Sequence, residues 1–98
     1  MLGGAPKELI GYQFTTDRIT LLSFTLHNKT IQNPPKTGTV ELDVLPPDRV
    51  VIINAFATGS GTGSLQLTYK GKKVLDQEAD FDFTHGQGFI TQPVTIPQ

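Results

Sequence analysis

The sequence predicts an all-β domain, a single antiparallel β-sandwich of about seven strands, immunoglobulin-like or jelly-roll in type, with no significant helix. Three observations predict it. Gly, Pro or an Asn/Asp turn cluster interrupts every stretch of about 12 residues, and no stretch repeats apolar residues at the three- and four-residue spacing of a helix face. Between the interruptions apolar and polar residues alternate, the period of a strand with one buried face. The alternating segments are short and evenly spaced, as in sandwiches and small barrels.

The first two predicted strands cover residues 8–15, with Ile10, Tyr12 and Phe14 on one face, and residues 18–28, with Leu22, Phe24 and Leu26. Thr16-Asp17 separates them as a turn. Asn33-Pro34-Pro35 leads to residues 39–45 (Val40, Leu42, Val44), and Pro46-Pro47-Asp48 to residues 50–57. Gly59-Ser60-Gly61-Thr62-Gly63 reads as a flexible loop before residues 64–70 (Leu65, Leu67, Tyr69). Gly71 turns the chain into residues 74–84 (Ala79, Phe81, Phe83), and His85-Gly86-Gln87-Gly88 turns it into the last strand, 89–96. Residues 1–7, made pliable by Gly3-Gly4, form an N-terminal arm ahead of a domain spanning 8–98.

The segment after Gly71 contains a conflict of phase. A two-residue loop at Gly71-Lys72, of type II′, pairs Tyr69 with Val74 and Leu67 with Asp76. Leu67 points inward, whereas Asp76 shares its parity with Glu78, Asp80 and Asp82. A β-bulge near residues 75–77, or a three-residue loop, returns Ala79, Phe81 and Phe83 to the inner face.

A chain of 98 residues makes one domain that buries roughly two-thirds of the surface its unfolded form exposes. With no cysteine, disulfides, thiolate nucleophiles and zinc–sulfur sites are excluded. Eight basic and nine acidic residues are spread along the chain, for a net charge of −1, so nucleic acid is not an expected partner. Lys70, Lys72 and Lys73 read as a solvated turn. The N-terminus lacks a basic region followed by an apolar one, so no secretory signal peptide is expected. The longest wholly apolar run, Val50 to Ile53, falls far short of the roughly 20 residues of a membrane helix, so membrane insertion is not expected.

Residues with chemical potential are few. Asp76, Glu78, Asp80 and Asp82 share a parity on one predicted strand, in a row that suits a solvated face that discourages edge pairing better than the converging oxygens of a calcium site. They are the only metal candidates, and no cofactor is expected. His27 and His85 lie at a strand end and in a Gly-rich segment, and read as turn or surface residues. Ser23, Ser60 and Ser64 lack the context of an activated nucleophile, and the Gly59–Gly63 spacing precedes a strand where a phosphate loop needs a helix. Asn28-Lys29-Thr30 matches an N-glycosylation sequon, and a hydroxyl-rich turn is enough to explain it. No catalytic residue is assigned, and the chain reads as a non-enzyme.

The most unusual segment is 50–57, apolar on both faces of a strand with no helix to cover the second. Val50, Ile52 and Phe56 point one way; Val51, Ile53, Ala55 and Ala57 point the other. The second set, with Leu2 of the arm as an anchor, is the expected interface; the competing reading puts that set under a loop such as 33–38. Pro93 and Pro97 suit an edge strand or an extended arm. These features predict a structural or interaction module that contacts itself or another structural protein in a homo-oligomer. A virion part such as a phage capsid decoration or cement protein fits by architecture; otherwise the expected setting is cytoplasmic. The alternative is a small carbohydrate- or ligand-binding module, which Tyr12 and Tyr69 support little because both fall in phase with inward residues.

Overall fold

The computed structural model describes residues 8–43 and 45–98, and in them the chain is all-β with no helix. Eight strands are hydrogen-bonded into one antiparallel sheet: β1 (Glu8–Leu26), β2 (Lys29–Gln32), β3 (Thr37–Leu42), β4 (Val50–Tyr69), β5 (Lys72–Lys73), β6 (Ala79–Asp80), β7 (Asp82–Thr84) and β8 (Gln87–Thr95). The expected count of seven changes in three ways. Residues 8–15 and 18–28 fuse into β1, and residues 50–57 and 64–70 fuse into β4; the predicted strand 74–84 breaks into β6 and β7; and β2 and β5 form where no strand is expected.

β1 and β4 pair with each other from Gly11 opposite Thr68 to Leu26 opposite Ile53. The first half of β1 pairs on its other side with β3, the second half with β2; β4 likewise takes β5 and β6 along one half and β8 along the other. Both long strands fold over at mid-length. Tyr12 and Phe14 place their rings 5.0 and 5.4 Å from the ring of Phe24, whereas ten residues of straight strand span about 33 Å. The two halves of the one sheet therefore face each other, and the core lies between them: Ile10, Tyr12 and Phe14 against Phe24, Leu26, Ile53 and Ala55, with Leu65 and Leu67 beside them.

The corner explains the glycine cluster. Gly59, Gly61 and Gly63 lie inside β4, not in a loop, and Thr16-Asp17 lies inside β1, not in a turn. A Cβ on Gly61 would sit 1.5 Å from the Asp17 carbonyl oxygen, and Gly59 has a φ of 135°. The glycines let two backbones cross closely where the ladder bends, a use of glycine that sequence cannot separate from loop flexibility. Opposite them Arg18 takes a φ of 59°. The register slips by one residue between Asp17 and Ile19, with the extra residue in β4, and slips back between Leu21 and Ser23, with Leu22 the extra residue in β1.

The phase conflict after Gly71 is resolved where the sequence places it, by a larger shift. Lys70 and Gly71 form the two-residue loop, with φ of 53° and 80° as in a type I′ turn, so the loop begins one residue earlier than the expected Gly71-Lys72. Lys73 stands opposite Thr68, but Asp80 stands opposite Ser64, where an unbroken ladder would put it opposite Gly61. The three-residue advance restores Ala79 and Phe81 to the core. Gln66 bridges the break: its Nε2 donates to the Leu75 carbonyl at 3.0 Å, and its Oε1 accepts from the Leu75 and Leu67 N–H groups at 2.9 and 3.0 Å.

The C-terminal segment is part of the sheet. The Ile96 N–H donates to the Arg49 carbonyl at 2.8 Å, and the Arg49 side chain donates to the Ile96 and Pro97 carbonyls at 2.9 and 2.7 Å. Of the two expectations for this segment, an edge strand or an extended arm, the strand is what forms, and Val94 and Ile96 are core residues. Pro93 fits for the reason expected. The Ile96–Arg49 bond sets the phase of the ladder so that the position of Pro93's missing N–H points away from β4, toward the edge.

Candidate functional site

The structure places Val51, Ile53, Ala55 and Ala57 in the chain's own core, at 1, 0, 0 and 1 % exposure. The face expected to meet a partner is therefore the internal one. It belongs to one apolar cluster with Tyr12, Phe14, Leu65 and Leu67 of the other half of the same sheet, brought together by the fold-over of β1 and β4, and with Leu75 of the irregular segment before β6. Leu2, with the rest of residues 1–7, lies outside the described residues, as does Val44.

The apolar surplus of the segment appears on the opposite face. Ile52, Phe56, Leu22 and Phe89 are 45, 38, 39 and 40 % exposed, although all four are large and apolar. Register gathers them. Ser23, Phe56, Phe89 and Asp82 stand opposite one another in a single row across β1, β4, β8 and β7. The bulge residue Leu22 joins this row, and Leu22, Phe56 and Phe89 line a shallow apolar pocket of 180 Å³ with Thr58 and Gln87 at its side. The Phe56 and Phe89 rings lie 5.3 Å apart at 88°, edge to face. In the next rows Thr25 faces Asn54, which faces Thr91 with a side-chain hydrogen bond of 2.9 Å, and Ile52 faces Pro93.

This outer face is uncharged. Residues 20–25 of β1, 50–58 of β4 and all of β8 contain no Asp, Glu, Lys or Arg, and Asp82 is the charge at the rim beyond Phe89. The outer face of the other half differs. Lys73 flanks Thr68, Asp80 flanks Ser64, and the Glu78 carboxylate accepts a hydrogen bond from the Ser64 hydroxyl at 2.8 Å.

The remaining sequence candidates scatter. Asp76, Glu78, Asp80 and Asp82 are all exposed, but they fall on an irregular segment, β6 and β7 and so form no row on one strand. Among the described residues no three His, Cys, Asp or Glu side chains come together in a group able to hold a metal ion. His27 opens the two-residue loop between β1 and β2, and His85 with Gly86 forms the loop between β7 and β8, so both occupy turns as expected. Lys70 sits in its turn with its ammonium 5.3 Å from the Tyr69 ring centre. Tyr12 and Tyr69 are buried, and Tyr69 donates its hydroxyl to the Glu8 carboxylate. A second, open groove of 300 Å³ separates β2 from β3, between Lys29, Ile31, Thr39 and Asp43.

Comparison with known proteins returned no matching family model, no matching curated protein and no matching solved structure. The outer face was partly visible in the sequence. The three charge-free stretches are plain there, but nothing in the sequence says that β1, β4 and β8 lie side by side.

Proposed function

We propose that the chain is a non-enzymatic structural or interaction module whose working surface is the outer face of β1, β4 and β8. One observation carries the reading: four large apolar side chains, Leu22, Ile52, Phe56 and Phe89, are gathered on a face free of charge across three strands. Loss of charged residues and gain of aromatic ones mark the centre of protein interfaces, and apolar patches of this kind are uncommon on monomers without a partner. Because the core already contains Val51, Ile53, Ala55 and Ala57, the outer set contributes little to folding and is free to serve contact. A particle built of repeated parts, such as a phage capsid carrying a decoration or cement protein, is the setting we propose, by analogy of architecture.

The carbohydrate-binding reading loses support. The exposed rings are Phe56 and Phe89, not the tyrosines, and their edge-to-face arrangement offers no flat platform for a sugar ring. The test is the native size of the chain in extracts of its producing cells or particles. The wild-type chain is expected to migrate well above 10.7 kDa, and a Phe56→Lys, Phe89→Lys chain to migrate as a monomer. Migration of the wild type as a free monomer contradicts the proposal.

A further inference from the structure

We infer that the partner on this face is a second copy of the same chain, packed face to face about a two-fold axis; the inference rests on the assembly reading above and names its partner. The face is large enough for such a contact. Four residues of β2, seven of β1 (20–26), nine of β4 (50–58) and nine of β8, at about 3.3 Å per residue and about 4.8 Å between strands, give a flat footprint of about 460 Å². That is before side-chain relief is counted, and it approaches the roughly 600–1,000 Å² that each partner contributes to a specific interface. A contact confined to the Phe56–Phe89 pocket would be far smaller.

Charge favours a self-contact. A foreign partner is ordinarily selected by complementary charges, and the described residues of β1, β4 and β8 on this face offer none. The same neutrality lets a face meet its own copy without like-charge repulsion, and the two-fold dimer is the commonest oligomer. Asp82 stands at the rim of the patch beyond Phe89, where interfaces are polar and wet.

The free edge of β8 disfavours the competing mode. Two copies joined edge to edge along β8 would place Pro93, which has no N–H, where the new ladder needs a donor, and β7 already occupies the Phe89 end. Face-to-face packing of two twisted sheets leaves that edge alone.

The experiment is sedimentation velocity on the purified full chain up to tens of micromolar, with two substitutions on the face and one off it. Thr91→Lys alters an exposed polar residue midway along β8, next to Asn54 on the face, so the monomer tolerates it, yet it places a cation in the dimer contact. Phe56→Lys removes the aromatic row, and Gln13→Glu, on the outer face of the other half, is the control. The wild type and Gln13→Glu are expected to reach twice the mass of 10.7 kDa. Thr91→Lys and Phe56→Lys, with far-ultraviolet dichroism unchanged, are expected to weaken association at least tenfold. A monomeric wild type, or a dimer indifferent to Thr91→Lys, overturns the inference. If the purified chain is monomeric while the chain in extracts runs large, a foreign partner holds the face and the broader module reading stands. If both are monomeric, the two fail together.

Discussion

Gln66 shows how one side chain can replace a stretch of ladder. Where β5 ends and the chain jumps three residues before β6, the Leu75 N–H and carbonyl would be left without strand partners, and the Gln66 amide satisfies both. Gln66→Leu keeps the bulk and removes the amide, and a buried polar group stranded in this way costs about 1–3 kcal/mol, so urea unfolding should show a loss of that order. Gly61 is stricter. Asp17 leaves no space for a Cβ, so Gly61→Ala must force apart the backbones at the corner, and thermal unfolding should show a loss of more than about 3 kcal/mol. Tyr12 adds a dependence on pH. Burial raises its phenol above the ordinary value of 10.0, so the folded state holds the proton to higher pH than the unfolded state does. The stability this gives is complete below about pH 10 and is lost as pH rises through the folded-state value. Melting temperature should therefore fall less steeply with alkaline pH in Tyr12→Phe than in the wild type.

At the scale of elements, β4 carries both the success and the failure of sequence reading. Its alternation was legible: Val51, Ile53, Ala55 and Ala57 share one face, and Val50, Ile52 and Phe56 share the other. Which face turns inward was not legible, because both are apolar and the choice depends on which half of the sheet lies opposite. The phase conflict at residues 75–77 was legible for the converse reason, since charge and apolarity there have opposite parity and a ladder obeys parity. The glycines at the corner misled because loops and close backbone crossings draw on the same residue. The face assignment has a direct check by paired truncation. Ile53→Ala, in the core, should cost about 2–5 kcal/mol, whereas Ile52→Ala, one residue away and exposed, should cost less than about 1 kcal/mol in the monomer. Equal costs would contradict the assignment.

At the scale of the whole molecule, one sheet folded on itself supplies its own core and leaves two outer faces of different character. The face of β3, β5 and β6 carries charge and suits water; the face of β1, β4 and β8 carries none and exposes Leu22, Ile52, Phe56 and Phe89. Neither difference follows from composition, since the net charge of −1 is spread along the chain and only the strand order sorts it. The candidate surface was thus half legible: its residues stand in three charge-free stretches, and their union is a product of topology. The central claim is that this union is the contact face. Backbone amide chemical shifts, followed over roughly a hundredfold range of protein concentration, test it most directly. Concentration-dependent shifts are expected in residues 20–26, 29–32, 50–58 and 87–95 alone. Shifts that are absent, or that map to β3, β5 and β6 instead, would contradict it.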